Sequence, residues 1–281
     1  MNLLIADSGS TKTDWRFIDE GRKILSFRSE GYNPFLMTEE KISESMKREV
    51  LVQLGDHTPD EIFFYGAGCG SDDKKIIILK SLSSVFKAQK IEINTDLLGA
   101  ARSLCGQEKG IAAILGTGSN SCSFDGIHIV ENRPSLGYIL GDEGSGVAMG
   151  KSLLRLFLYE DMEVKLKESF VKRFPETRAE ILHKLYKEPL PNRYLASFAK
   201  FIFQHIEHPQ CVEIVVNNFR SFFLHHILRY ENVKSLPLHV TGSVGFYFSN
   251  ILRRVAEEQG VKLGRVTETP IAGLLNYHIG E

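Results

Sequence analysis

The sequence has no long apolar run and no excess of either charge. Its first apolar stretch, residues 2–6, ends at Asp7 and is far shorter than the roughly 7–15 apolar residues of a signal-peptide core or the roughly 20 of a membrane span. The formal net charge is −1, and no basic stripe is interleaved with aromatic residues, which argues against a dedicated nucleic-acid binder. We therefore expect a soluble, cytoplasmic protein with small-molecule partners and neither nucleic acid nor membrane among them.

Motifs that bind transition metals are also missing. The four cysteines, Cys69, Cys105, Cys122 and Cys211, form no CxxC pair, and the nine histidines form no HExxH pattern. We expect buried, reduced thiols and no metal bound by histidine or cysteine.

Hydrophobic periodicity predicts an α/β protein built from one unit used twice. With 281 residues, the chain exceeds the usual size of a single core. An opening order βββαβαβα is followed by a second set of three strands. The two openings, LIADSGSTKTDWRFIDEG and AAILGTGSNSCSFDG, share an apolar strand, a small polar turn, a second strand and a glycine-terminated hairpin.

The predicted elements follow from these patterns. Strands are predicted at 2–6, 14–18, 23–27, 61–65, 91–94, 110–115, 119–124, 127–131 and 238–241. Helices are predicted at 39–54, 72–87, 97–104, about 243–259 and 271–278, with a mostly helical region from 143 to 230. We place the domains at 1–109 and 110–281, with a helical insertion in the second, and expect the last helix, about 270–281, to pack back on the first.

Three glycine-rich turns have the chemistry of an anion cradle. Backbone N–H groups in the turn at 8–11 can point at one anion because few side chains block it, and Lys12 adds a positive charge. Taken alone, this turn is more simply an ordinary hairpin, and it does not match GxxxxGK[ST], which excludes a P-loop. LGTGSN at 115–120 repeats the chemistry, and VTGSVG at 240–245 places small residues where a planar base can approach the backbone.

The motifs together resemble a known family. DSGSTKTD at 7–14, NTDLLGAA at 94–101, LGTGSN and LGYILGDEGSG at 136–146 look like the signatures of N-acetylglucosamine kinases. These belong to the BadF/BadG/BcrA/BcrD ATPase group within the sugar kinase, Hsp70 and actin superfamily. The resemblance implies an α/β fold class with two duplicated RNase H-like domains (the actin-like ATPase fold) around a nucleotide-binding cleft. It also implies ATP and Mg²⁺ as cofactors and a homodimer as the assembly.

The resemblance also implies roles for individual residues. Asp96 would be the catalytic base that accepts the proton of the sugar hydroxyl, and Asp7 would hold Mg²⁺, largely through water. The implied nucleotide-binding residues are Ser8, Gly9, Ser10, Thr11, Lys12, Gly116, Thr117, Gly118, Gly242, Ser243 and Gly245. The implied sugar-binding residues are Asn33, Thr117, Asn120, Gly137 and Asp142.

Each of these side chains also has a simpler interpretation. Without the family, Asp96 would be the N-cap of the helix at 97–104, and Asp142 would cap the helix that follows it. Asn33 and Asn120 would be turn residues.

The predicted activity is transfer of the γ-phosphate of ATP to the 6-hydroxyl of an amino sugar, with N-acetylglucosamine as the first acceptor. Leu136 stands where kinases for this sugar often carry tryptophan. Glucosamine, N-acetylmannosamine and N-acetylmuramic acid therefore stay open as acceptors. A different class is an ATPase that activates a 2-hydroxyacyl-CoA dehydratase, although the DKCAAGTG-like stretch of such activators is replaced here by GTGSN. A non-catalytic sugar-responsive ATP binder is a third alternative, against which Asp96 argues.

Overall fold

The chain contains two mixed sheets of five strands each. The structure is a computed structural model that describes residues 1–9 and 11–280. It divides into two compact units: unit 1 comprises residues 1–108, 126–128 and the chain from Pro270 onward, and unit 2 comprises residues 109–125 and 129–269.

Unit 1 holds the first five strands. In chain order its elements are β1 (Leu3–Ser8), β2 (Lys12–Ile18), β3 (Ile24–Glu30), α1 (Glu39–Met46), α2 (Val52–Leu54), β4 (Glu61–Gly66), α3 (Asp72–Val85), β5 (Lys90–Thr95), α4 (Asp96–Cys105) and, at the end of the chain, α14 (Ile271–Ile279). A π-helical segment, Lys47–Leu51, joins α1 to α2, so these three form the single helix predicted at 39–54.

Unit 2 holds the other five strands and most of the helices. Its elements are β6 (Gly110–Leu115), β7 (Ser119–Phe124), β8 (Ile129–Arg133), α5 (Gly137–Leu140), α6 (Gly146–Leu158), α7 (Val164–Arg173), α8 (Arg178–Tyr186), α9 (Pro191–Ser197), α10 (Ala199–Gln204), α11 (Pro209–His225), β9 (Leu238–Thr241), α12 (Ser243–Tyr247), α13 (Ser249–Glu258) and β10 (Leu263–Thr267).

The two sheets have equivalent strand orders, β3-β2-β1-β4-β5 and β8-β7-β6-β9-β10. In each, the first three strands are antiparallel neighbours, and the other two run parallel to the first strand. The predicted α/β class and the predicted reuse of one unit are therefore confirmed. The sequence analysis missed β10, a part-exposed strand with a glycine and a register irregularity beside β9.

Strand β1 is buried on both faces because its side chains alternate between two apolar layers. Leu4 and Ala6 belong to the layer that includes side chains of α1 and α3, whereas Leu3 and Ile5 belong to the layer that includes side chains of α14. This double burial fixes the position of Asp7 at the end of the strand.

The core of unit 2 packs one face of its sheet against helices rich in phenylalanine. Phe170, Phe198 and Phe201 form one aromatic cluster, with ring centroids 5.4–5.8 Å from Phe170. Phe219 and Phe222, on α11, are fully buried in the same core. Helix α11 is thereby anchored along its length, which fixes the residues at its C-terminal end.

The four cysteines are free and buried, as predicted. Burial is the main cause that raises the pKa of Cys69, to about 12, so this thiol stays protonated at neutral pH. Across residues 1–9 and 11–280, no helix combines the length and apolarity needed to cross a lipid bilayer.

Candidate active site

The carboxyl ends of parallel strands bring two carboxylates to one edge of the sheet in unit 1. Asp7 is the penultimate residue of β1, and Asp96 directly follows β5. Strand β4 lies between them, with Tyr65 opposite both Asp7 and Asn94. Because open α/β sheets bind ligands at this edge, Asp7 and Asp96 form a candidate reaction centre.

The Asp7 carboxylate has a raised pKa and lies in a part-exposed residue. Burial is the main cause that raises its pKa from 3.8 to about 7; Asp96 and Asp14 add to the shift and Lys12 opposes it. Within the described part of the chain this part-exposed carboxylate has no hydrogen-bond or ion-pair partner. No group of three histidine, cysteine or acidic side chains among the described residues is arranged to hold a metal. A cation at Asp7 would therefore keep most of its water ligands, as Mg²⁺ does.

Asp96 is not the N-cap of α4. Strand β5 continues through Thr95, whose hydroxyl accepts the N–H of Leu98 at 3.2 Å and so caps the helix. The interpretation of Asp96 as the cap is therefore wrong. Its Oδ1 accepts the N–H of the adjacent Leu97 at 2.9 Å, and beyond Asp96 itself no other described residue donates to this carboxylate. Burial raises the pKa of Asp96 against its backbone hydrogen bonds, and a raised pKa makes the carboxylate a stronger proton acceptor.

The turn between β1 and β2 uses some of its polar groups internally. The Gly9 N–H donates to the Lys12 carbonyl at 3.0 Å. The Ser8 hydroxyl is buried and lies 2.8 Å from that of Thr13. These two groups stabilise the hairpin, so the predicted phosphate contacts fall to the rest of the turn. Ser10, predicted to bind nucleotide, lies outside the described residues.

Lys12 is held at this turn by a residue to which the sequence analysis gave no role. Its Nζ lies 3.2 Å from Oδ2 of Asp14, whose side chain is 4% exposed. The Arg28 Nε approaches the other oxygen of Asp14 at 2.6 Å. Thr11, also predicted at the nucleotide site, is exposed. An aspartate two residues after the lysine of a glycine-containing turn was the available sequence signal for this ion pair.

Asn33 forms a local turn beside the loop that follows β4. Its Oδ1 accepts the Phe35 N–H at 2.9 Å. Gly68, with φ of +84°, lies under it, and a Cβ at that position would come within 2.5 Å of the same oxygen. The turn interpretation of Asn33 thus applies, and its predicted sugar contact stays a prediction.

In unit 2, Asp142 is buried and adopts a left-handed backbone conformation, with φ of 61°. Its Oδ1 accepts the Ser119 N–H at 3.3 Å and the Ser135 hydroxyl. The N-cap of α6 is Ser145, whose hydroxyl accepts the Ala148 N–H at 3.3 Å, so the interpretation of Asp142 as the cap is wrong. A buried carboxylate in a costly backbone conformation indicates a functional position.

The turn after β6 is bound to the start of α6. The carbonyl of Gly116 accepts the Gly146 N–H at 2.9 Å, and the Gly116 N–H donates to the carbonyl of Gly118 at 3.0 Å. A Cβ on Gly118 would lie 3.1 Å from both carboxylate oxygens of Asp142. A side chain at position 118 would therefore press on the Asp142 carboxylate and require it to shift, while the Thr117 side chain stays exposed.

The predicted adenosine loop begins at the end of β9, the strand that pairs in parallel with β6. A Cβ on Gly242, whose φ is +113°, would come within 2.4 Å of the Leu115 carbonyl oxygen. Gly245 packs on Val240, where a Cβ would come within 2.6 Å. The loop and the turn after β6 are therefore neighbours, and Ser243 begins α12 between the two glycines.

A cavity of about 700 Å³ in unit 2 adjoins these two turns. Its lining residues are Gly116, Thr117, Gly146, Arg173, Phe174, Ala196, Ser197, Ala199, Lys200, Phe203, Gln204, Ser243, Val244, Tyr247 and Phe248. Apolar walls with a few polar groups are typical of a small-molecule site. The sequence analysis missed the walls from α7, α9 and α10, because helical periodicity identifies a buried face but not the helices that meet there.

The two remaining predicted sugar-binding residues lie in unit 2. Asn120 is on β7, and Gly137 begins α5. The Asn120 Oδ1 accepts the Ser121 N–H at 2.9 Å and the Asn132 side-chain N–H at 3.0 Å. Gly137, with φ of +73°, donates its N–H at 3.1 Å to the Ser135 hydroxyl that also reaches Asp142. Ser135 thus links the two predicted residues.

Comparisons with known proteins give matches among solved structures. No family model matches the chain, and no curated protein matches it. A crystal structure from Porphyromonas gingivalis, named "Putative N-acetylglucosamine Kinase", is 43% identical over 99% of both chains, with a TM-score of 0.95. A Chromobacterium violaceum structure of the same name is 16% identical over 98% of both chains, with a TM-score of 0.75.

A more distant match shows the shared fold. The ROK family glucokinase of Streptomyces griseus, in complex with glucose and AMPPNP, is 16% identical over 99% of this chain and 98% of its own, with a TM-score of 0.56. With the equivalent sheets of the two units, this likeness confirms the predicted duplicated RNase H-like fold of the actin-like ATPases.

Proposed function

The chain belongs to the N-acetylglucosamine kinase-like family of sugar kinases, and on this premise we propose that it transfers the γ-phosphate of ATP to the 6-hydroxyl of an amino sugar. N-acetylglucosamine is the first acceptor. The proposal includes the cytoplasm as the location and a homodimer as the assembly.

The observation that carries the proposal is the state of Asp96. It begins α4 at the carboxyl edge of the sheet, Thr95 performs the capping, and burial raises its pKa. Phosphoryl transfer to a hydroxyl needs a positioned group to accept the proton as the bond to phosphorus forms. Asp96 has the chemistry and the availability for that role.

Asp7 is the proposed residue for Mg²⁺. Its carboxylate, which has no partner among residues 1–9 and 11–280 and a pKa raised to about 7, gains a compensating charge when a cation binds. When bound, the ion would offset the charge of the phosphates. Thr11, Lys12 and the glycine turn after β6 are the proposed phosphate contacts, with Lys12 oriented by Asp14.

Acceptor recognition is assigned to Asp142, Asn33, Asn120 and Gly137. Carboxylates accept from sugar hydroxyls, and amides both donate and accept. Leu136, which is 64% exposed, stands at the position where the resemblance implies tryptophan. Glucosamine, N-acetylmannosamine and N-acetylmuramic acid therefore remain alternative acceptors. The dehydratase activator is disfavoured, because all four cysteines are buried and unavailable to a cluster between subunits.

The direct test is ADP release with Mg-ATP against a panel of hexoses and amino sugars. We expect an N-acetylated amino sugar to stimulate turnover, with mass spectrometry showing one added phosphoryl group. The 6-deoxy analogue of the best acceptor is the matched control and should give none. ATP binding without stimulation by any sugar would contradict the kinase.

The 700 Å³ cavity is the proposed adenosine site. Ser197 is exposed on its wall, and its hydroxyl donates to the Tyr194 carbonyl at 2.7 Å. Ser197→Trp should fill the cavity without disturbing the core and raise the KM for ATP about tenfold or more, because the base loses its contact surface. Steady-state kinetics with varied ATP measure this, and the acceptor KM should stay unchanged.

Ser235→Trp is the matched control. Ser235 is exposed, its hydroxyl donates to the carbonyl three residues earlier at 3.1 Å, and it does not line the cavity. Equal KM values for ATP in both variants would place the nucleotide elsewhere.

A further inference from the structure

A buried histidine contacts the turn that carries Asp142. His226 follows α11 and is 4% exposed. Its Nε2 lies 3.0 Å from Oε2 of Glu143. Because a carboxylate only accepts hydrogen bonds, Nε2–H is the donor. The Nδ1 of His226 is buried and has no partner within the described part of the chain, so this one bond is the ring's polar contact with the protein.

The bond favours the ionised form of Glu143. Burial alone would raise the pKa of Glu143, but the hydrogen bond from His226 and a backbone hydrogen bond hold that pKa below its ordinary value. Glu143 is thus a fixed anion one residue after Asp142.

Helix α11 contacts the same turn at a second point. The Phe222 ring stacks on the His226 ring, with centroids 5.2 Å apart. Phe222 also lies against Gly144, whose φ is +76° and where a Cβ would come within 2.9 Å of the Phe222 Cβ. The end of α11 therefore holds the residues on the C-terminal side of Asp142, at Glu143 and Gly144.

The conformation of Asp142 needs such support. Left-handed backbone geometry is disfavoured at a non-glycine residue, less for aspartate than for most, and contacts on both sides of Asp142 stabilise it. On the N-terminal side, Ser135 and Ser119 hold the carboxylate. On the C-terminal side, the Ser145 N–H donates to the Asp142 carbonyl at 3.1 Å, and Glu143 is fixed to α11.

We propose that His226 is a positioning residue that acts through Glu143 to hold Asp142 in the left-handed conformation from which its carboxylate binds the acceptor sugar. The sugar contact rests on the proposed function, whereas the positioning of Asp142 does not. His226 and Glu143 thus extend acceptor recognition to a helix that the family motifs do not include.

Two substitutions separate the hydrogen bond from the ring packing. His226→Phe keeps the stack on Phe222 and removes the donor, whereas His226→Gln restores an N–H donor near the position of Nε2 without the ring. We expect His226→Phe to raise the acceptor KM about tenfold to a hundredfold, in the range for loss of a hydrogen bond to a charged group. The KM for ATP should not change, and His226→Gln should recover most of the acceptor KM.

A double-mutant cycle with Asp142→Ala tests whether His226 acts through Asp142. Once Asp142 is absent, His226→Phe should have little further effect on the acceptor KM. His183→Phe is the matched control, because His183 forms a His–Glu pair at 3.5 Å on an exposed surface. Additive effects, or an unchanged acceptor KM in an active His226→Phe protein, would overturn the inference.

Hydrogen exchange gives a readout that does not depend on activity. The Ser119 N–H donates to the Asp142 carboxylate and the Ser145 N–H to its carbonyl. Both amides should exchange faster in His226→Phe than in wild type or His226→Gln. Faster exchange in His226→Phe, together with a wild-type protein that turns over no sugar, would support the positioning and refute the kinase. Equal exchange in all three proteins would refute the positioning.

Discussion

Replacing Asp96 with asparagine is expected to lower kcat for sugar phosphorylation by about 10²–10⁴-fold, the usual contribution of a positioned general base. Asparagine has nearly the same shape and can still accept the Leu97 N–H, but its amide cannot take up the hydroxyl proton. Because burial disfavours the charged form of Asp96, the neutral variant should be at least as stable as wild type. ATP affinity, measured by calorimetry, should be unchanged.

Another aspartate of unit 1 provides the matched control for this variant. Asp72 is the first residue of α3, after the N-cap Ser71, just as Asp96 is the first residue of α4 after Thr95. Asp72→Asn removes a carboxylate at the same helical position, where its interaction with the helix dipole is similar. It should leave kcat unchanged. If Asp96→Asn keeps kcat within a few-fold of wild type, Asp96 is not the base.

Asp7→Asn is expected to stabilise the protein and inactivate it. In the cation-free protein the folded-state pKa of Asp7 is about 7, against an ordinary value of 3.8. Between these values the folded state binds more protons than the unfolded state, so the wild-type free energy of unfolding falls as pH rises. Above about pH 7 the full penalty is present. At about 1.4 kcal/mol per pKa unit, asparagine would remove up to roughly 4 kcal/mol of it, less where water reaches the part-exposed carboxylate.

Urea unfolding with a chelator present, between about pH 4 and pH 8.5, measures this effect. The stability difference between Asp7→Asn and wild type should be small near pH 4, grow with pH and level off above pH 7. The same variant should lose about 10²-fold or more in Mg²⁺-dependent turnover, because the cation loses its charged ligand. A stability difference independent of pH would contradict the raised pKa, and full turnover would contradict the assignment of Mg²⁺ to Asp7.

The sequence predicted the framework and the positions of the carboxylates, but not which polar groups are occupied. NTDLLG offers two adjacent N-cap candidates, Thr95 and Asp96, with similar local preferences. The choice depends on β5 continuing to Thr95, which is set by its pairing with β4. The same holds in GDEGSG, where Ser145 caps α6 and leaves Asp142 to other contacts. In both places the local sequence allows two capping residues, and contacts with other parts of the chain determine which of them caps the helix.

Other features depend on contacts between distant parts of the chain. From its sequence, the turn at Gly9 is expected to have free backbone N–H groups. In the structure the hairpin geometry makes the Gly9 N–H donate to the Lys12 carbonyl. The pairing of Glu143 with His226 joins residues 83 positions apart, and no local pattern links them. Single-sequence periodicity predicts elements and their buried faces, whereas such contacts follow from packing of the whole unit.

Unit 1 is completed by residues from the far end of the chain. Helix α14 lies on α4, where a Cβ on Gly273 would come within 2.4 Å of Ser103, and the Ser103 hydroxyl donates at 2.7 Å to the Pro270 carbonyl. That bond spans 167 positions, so it raises the contact order of unit 1. During synthesis the segment that forms unit 2 emerges from the ribosome before α14 does. The helix that begins at Asp96 therefore gains its final packing only after the other unit has been made.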